Sequence, residues 1–126
     1  MFNVGDEYTR EEIQAQVGGG LEIFLPNKAG VVVAACLTKD KNPRAPSVIL
    51  CGVGEDIAAA GAMLARQSTA IPVFIKRGIK RWQYIGNFRP SAWYTSGPEF
   101  ESRIAGSGRD RSDISRVVVM TPAAKT

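Results

Sequence analysis

IPVFIKRGIKRWQYIGNFR, residues Ile71 to Arg89, reads as two strands joined by a turn. Ile71 to Lys76 is an apolar run with Pro72 near its start, Gly78 supplies a turn, and Arg81 to Phe88 alternates with period two. The alternation predicts that Trp82, Tyr84, Gly86 and Phe88 share one face of the second strand, with Arg81, Gln83, Ile85 and Asn87 on the other. The same nineteen residues hold five cations (Lys76, Arg77, Lys80, Arg81 and Arg89) and no acid. Cations interleaved with rings are what a nucleic-acid surface uses, charge for the phosphates and aromatic faces for the bases.

The regions around this hairpin supply strands and a few helices. Thr9-Arg10-Glu11-Glu12 is a capping box, so a short helix carrying Ile13 and Val17 starts there and ends at Gly18-Gly19-Gly20. Leu21 to Leu25 reads as a strand. Gly30 to Thr38, rich in Val, reads as a strand buried on both faces. Lys39 to Pro46 is a proline-punctuated loop, and Ser47 to Val53 resumes as a strand. Ile57 to Gln67 has apolar residues at helical spacing, with Glu55 and Asp56 placed to suit its N-terminal dipole. Residues 91–112 read as loop-rich, with a short helix near Glu99 to Ile104. Ser115 to Thr121 is a last strand, and residues 122–126 read as a flexible tail. The expectation is one domain over residues 1–126, of α+β class: a small, strongly bent sheet or a PUA-like β-barrel with two or three flanking helices. The strand and helix order does not support a doubly wound sheet.

Composition narrows the function classes. The apolar runs are too short to span a bilayer, and the acidic N-terminus is unlike a secretory signal, which predicts a cytoplasmic protein without a membrane partner. Cys36 and Cys51 sit in apolar surroundings and read as buried free thiols. With two isolated cysteines and no histidine, neither a metal site nor a cofactor is expected. Histidine-dependent base and nucleophile pairs are absent as well. Asp40 between Lys39 and Lys41 is the nearest approach to a nuclease centre, but it lies in a loop, so no catalytic residue is expected. Charge is uneven: residues 1–70 carry 6 basic and 8 acidic side chains, residues 71–126 carry 10 and 4. The second half therefore predicts one positive face.

Read in order, YTREEI, LP followed by a Gly-Val-Val strand, NPRAP, IPVFIKR and WQYIGNFR resemble the SRA-like modules of the PUA superfamily, poorly characterised domains that accompany nucleases in restriction systems. The resemblance covers about residues 5–90, and its most specific piece is W-x-Y-x-G-x-[FY]. It implies a compact barrel that binds duplex nucleic acid and flips a modified base into a pocket. Asn42 and Pro43 would then lie on a pocket-side loop, Phe74 and Lys76 on one barrel strand, and Trp82, Tyr84 and Gly86 on the next. The chain shows no nuclease domain, so recognition without cleavage is the expectation.

The sequence therefore predicts a non-catalytic nucleic-acid-binding module, for DNA in preference to RNA. Lys76, Arg77, Lys80, Arg81, Arg89, Asn42 and Arg44 would contact the nucleic acid, and Trp82, Tyr84 and Phe74 would stack on or enclose a base. The alternative is a small interaction factor or inhibitor docking on a nuclease or other nucleic-acid-processing enzyme, since aromatic and arginine residues also anchor protein interfaces.

Overall fold

The computed structural model describes residues 1–123. It is an α+β fold with a mixed six-stranded sheet, a separate two-stranded ribbon and three helices. The strands are β1 (Glu7–Tyr8), β2 (Asn27–Lys28), β3 (Val31–Val32), β4 (Ala35–Leu37), β5 (Val48–Gly52), β6 (Ile71–Gly78), β7 (Arg81–Tyr94) and β8 (Ile114–Pro122). The helices are α1 (Arg10–Val17), α2 (Glu55–Arg66) and α3 (Pro98–Ile104). The main sheet runs β4-β6-β7-β8-β5, with β1 added against β7, while β2 and β3 form the ribbon. β4 is parallel to β6, and the other pairings are antiparallel. No helix of the described residues is long and apolar enough to cross a membrane.

Local chemistry accounts for the helices. Thr9 caps α1: its hydroxyl accepts from the Glu12 N–H at 3.1 Å, while Glu12 Oε1 accepts from the Thr9 N–H at 2.8 Å. α2 lacks a side-chain cap and has Glu55 and Asp56 in its first turn instead. It buries Ala60, Gly61 and Leu64 against the sheet. Gly61 sits so close to β5 that a Cβ there would lie 2.8 Å from Cys51 Sγ.

Both faces of the sheet are covered. On one face α2 packs through Ala60 and Leu64 on Ile49, Val73, Ile75, Phe88 and Val118. On the other, α1 brings Ile13 and Val17 to Cys36, Phe74, Trp82 and Tyr84. At the far end of that second face, α3 brings Phe100 and Ile104 to Leu50, Ile114 and Val117.

Four expectations need correction. Trp82 and Tyr84 do not share a face with Phe88. The β6–β7 register pairs Val73 with Gly86 but Phe74 with Tyr84, so Ile85 is an extra residue on β7 and the alternation changes phase there. Gly86, at φ 143, supplies backbone freedom at this bulge. Leu21 to Leu25 forms no strand. It lies beside β4 through the Cys36 N–H to Phe24 O bond at 2.8 Å, while Arg10 takes the Ile23 carbonyl. Gly30 to Thr38 divides into β3 and β4, because the Gln67 side chain occupies both main-chain groups of Val32, at 2.9 Å each. Finally, β7 runs through Pro90 to Tyr94, where the sequence suggested a loop. β6 begins opposite Phe88, so beyond that point one edge of β7 has no strand to serve and a missing N–H is tolerated.

The rest of 91–112 contains α3 and the start of a single 3-10 turn at Arg111–Asp113. Of the expected tail, Pro122 ends β8 and the Ala123 N–H donates to Asn87 O at 2.9 Å, while residues 124–126 lie outside the described residues.

Candidate functional site: a basic cavity at the sheet seam

The sheet is open among the described residues: β4 and β5 end the strand order and do not pair with each other. Its curvature nevertheless brings Cys36 and Thr38, from and just after β4, and Leu50 and Gly52 of β5 to the walls of one cavity of about 870 Å³. That volume falls within the range of small-ligand sites. The same cavity is bounded by α1, the 21–24 segment, the 40–42 loop and the tip of the β6–β7 hairpin.

Five cations line it: Arg10, Lys41, Lys76, Lys80 and Arg109, against the acids Glu11, Glu22 and Asp40. Trp82, 8% exposed, forms an aromatic part of the wall. Arg10 Cζ and Lys76 Nζ each lie 5.5 Å from its ring centroid, within cation–π range. Arg10 also donates from Nη2 to Gly20 O at 3.0 Å and Ile23 O at 2.8 Å, so one guanidinium ties the 20–23 segment to the indole. Arg109 donates to Lys41 O at 2.9 Å and holds the opposite lip. The Thr38 hydroxyl, bonded to Asp40, keeps that carboxyl below its usual range, so Asp40 remains charged. Burial pushes the Cys36 thiol up to about 12, which leaves it neutral and a poor nucleophile. Cys51 is likewise raised to about 12 by burial.

The expected nucleic-acid residues separate into groups. Lys76, Arg77, Lys80 and Arg89 are exposed. The ion pairs among the described residues are Arg81–Glu7, Arg103–Glu99 and Arg111–Glu101, so these four cations have no carboxylate partner. Arg77 Nε donates to Gln83 Oε1 at 2.9 Å, an uncharged partner. Arg81 is different: Nε and Nη2 both bond Glu7 at 2.9 Å, tying β7 to β1 and offsetting its charge.

Four other expected site residues are placed by burial and bonding. Arg44 donates to Ser102 O at 3.4 Å and Ala105 O at 3.1 Å, anchoring the C-terminal end of α3. Asn42 is buried and its Oδ1 accepts the Leu50 N–H at 2.8 Å, satisfying an edge donor of β5. It does line the cavity, but as a brace between its loop and β5. Phe74, 0% exposed, has Phe2 at 4.9 Å and Tyr84 at 5.4 Å between centroids, so it has no free face for a base. Tyr84 is buried beside it, with its hydroxyl donating to Asn87 Oδ1 at 2.6 Å.

Sequence reasoning missed Arg10, Lys41 and Arg109 as cavity residues. Nothing local marks them, since Arg10 looks like an ordinary first-turn residue and Arg109 like a loop cation. Among the described residues, no group of three or more Cys, Asp or Glu side chains is arranged to hold a metal ion. No protein-family model matches the chain, and neither a curated protein nor a solved structure matches it.

Proposed function

We propose that this protein is a non-catalytic nucleic-acid-binding module whose partner is duplex DNA. In this reading Lys76, Arg77, Lys80 and Arg89 engage phosphates and the cavity beside Trp82 receives an extruded, modified base. One observation carries the reading: Lys76 and Lys80, both without a carboxylate partner, belong to the hairpin that lines a basic cavity with an indole in its wall. A ligand that is flat at one end and anionic at the other suits that chemistry. The barrel-like SRA and PUA architecture suggested by the sequence motifs belongs to the same proposal, and the curled seam between β4 and β5 supports it.

Salt dependence tests the claim. Neutralising about four phosphates gives a slope of log affinity against log salt near −3.6. Binding that stays flat between roughly 50 and 300 mM salt refutes the electrostatic footprint. A panel of plain, methylated and hydroxymethylated duplexes then tests the pocket, which requires tighter binding to one modified form. Trp82→Phe should erode that preference more than it erodes affinity for plain DNA.

A second reading has its own observation. Trp93 is 49% exposed, and Arg116 Cζ stacks 4.4 Å from its ring centroid, a pairing found at protein interfaces. Under this reading the chain is an accessory factor or inhibitor docking on a nucleic-acid enzyme. Lysate capture with and without nuclease separates the two: partners lost on nuclease treatment favour DNA binding, and partners retained favour docking.

A further inference from the structure

We infer that the free edge of β7 from Pro90 to Tyr94 takes an acidic, extended segment of a protein partner as an added strand. The inference stands apart from the DNA-binding reading, since none of its residues lines the basic cavity. It shares the Trp93–Arg116 pair with the docking reading and adds the chemistry of the partner and the mode of contact.

β6 pairs with β7 only as far as Ile71 opposite Phe88, and β1 reaches only Trp82 and Gln83. Beyond Phe88, β7 has β8 along one edge and no strand of the described residues along the other. Main-chain directions there follow from the register. The Met120 N–H bonds Ser47 O at 2.8 Å, and the Leu50 N–H, opposite Val117, turns from β8 to Asn42. Val118 therefore directs its main-chain groups to Ile49 of β5, and Trp93, opposite Val118, turns its N–H and C=O to the open edge. Pro90 and the bulge at Ser91 withhold regular donors from the start of this edge, which guards it against indiscriminate pairing. Selectivity for a partner must then come from side chains.

Those side chains are aromatic and cationic. A shallow groove of about 370 Å³ follows the edge, lined by Ala65 of α2 and by Pro90, Ser91, Ala92 and Trp93, with no acid among them. Trp93 is 49% exposed, and Arg116 Cζ lies 4.4 Å from its ring centroid. Arg66, exposed, is the last residue of α2 and follows Ala65. Neither Arg66 nor Arg116 has a carboxylate partner among the described residues. An indole and two uncompensated guanidiniums beside free strand groups fit β-augmentation by a segment carrying Asp or Glu at alternate positions. A second copy of the chain fits less well, because pairing the same two edges brings the same cations together. A nucleic acid offers no N–H and C=O at strand spacing to meet Trp93.

The test uses the full chain and short fluorescein-labelled peptides, read by anisotropy. One alternates Glu and Thr, one alternates Lys and Thr, and one is the Glu–Thr peptide with N-methylated amides throughout, which keeps the charge and removes the ladder donors. The Glu–Thr peptide is expected to bind, more weakly as salt rises, and to slow hydrogen exchange at the Trp93 amide several-fold. The other two peptides should bind about tenfold more weakly or worse. Trp93→Ala, and Arg66→Gln combined with Arg116→Gln, should each weaken the Glu–Thr peptide by about tenfold. None of the three positions is buried, so circular dichroism should be unchanged. Lys76→Ala combined with Lys80→Ala should leave peptide binding as in wild type, and a wild type that binds this peptide but no duplex removes the DNA reading alone. No binding of the Glu–Thr peptide up to about 1 mM overturns the inference, as does equal binding of its N-methylated form. Duplex binding lost in Trp93→Ala assigns the edge to nucleic acid and also overturns it. A dimer in sedimentation that Trp93→Ala dissociates assigns the edge to a second copy, with the same consequence.

Discussion

Lys80→Gly should move stability and binding in opposite directions. Lys80 has φ 57, the left-handed region, in an exposed turn. An L-residue there costs about 1–2 kcal/mol relative to the right-handed region, and glycine removes that cost. Against it stands the larger backbone entropy glycine loses on folding, about 0.5–1 kcal/mol. Lys80 is exposed and has no ion pair among the described residues, so little packing is surrendered. The net expectation is stabilisation by about 0.5–1 kcal/mol, read as a higher urea midpoint at unchanged slope and a melting temperature up by about 2–4 °C. Duplex affinity should fall, and the salt slope should shrink by about 0.9, the share of one phosphate. Lys80→Ala is the control, since it loses the same contact but keeps the left-handed strain, so its stability should stay close to wild type. A destabilised Lys80→Gly refutes the strain argument. A stabilised one with undiminished binding and slope refutes the placement of Lys80 on DNA.

Three further outcomes follow from the packing and the ion pairs. Gly61→Ala should destabilise by about 1–3 kcal/mol, because overpacking against Cys51 exceeds the gain in helix propensity. Adding Cys51→Ala should recover part of that loss, and strict additivity in denaturant titrations would contradict the contact. Asn42→Ala should cost about 1–3 kcal/mol by leaving the buried Leu50 N–H without its acceptor, whereas Asn42→Asp, which keeps an acceptor, should cost less by thermal melting. Glu7 is held below its usual 4.5, first by its hydrogen bond from Arg81. Its contribution is therefore complete above the unfolded value and disappears as pH falls through the lower folded one. Glu7→Gln should differ from wild type at neutral pH and converge with it in acid; a gap that persists unchanged at low pH would refute the pairing.

Features set by neighbours in sequence were legible from the chain alone. The Thr9–Glu12 capping box, the α2 periodicity, the short α3 and the turn at Gly78 follow from side chains within a few residues of one another. The concentration of cations between Lys76 and Arg89 was legible in the same way, though not which of them have partners. Features that depend on pairing between distant segments were not legible. The bulge at Ile85 turns Trp82 and Tyr84 away from the face of Phe88, and period-two reasoning had no signal for that change of phase. The 21–25 segment has strand-like alternation yet lacks a ladder, and Arg10, from a helix, takes the Ile23 carbonyl and that of Gly20 just before it.

What the sequence determined by itself, then, is the α+β class, the hairpin and its charge, all properties of local patterning and composition. The cavity was decided only in three dimensions. It takes Arg10 from a helix, Lys41 and Arg109 from loops, and walls from two strands at opposite ends of the sheet order, brought together by curvature that no short window encodes. Packing of α1 and Phe2 across the sheet buried Phe74 and Tyr84 and left Trp82, buried beside them, at the cavity wall, because which side of a strand meets solvent is settled by what packs across it.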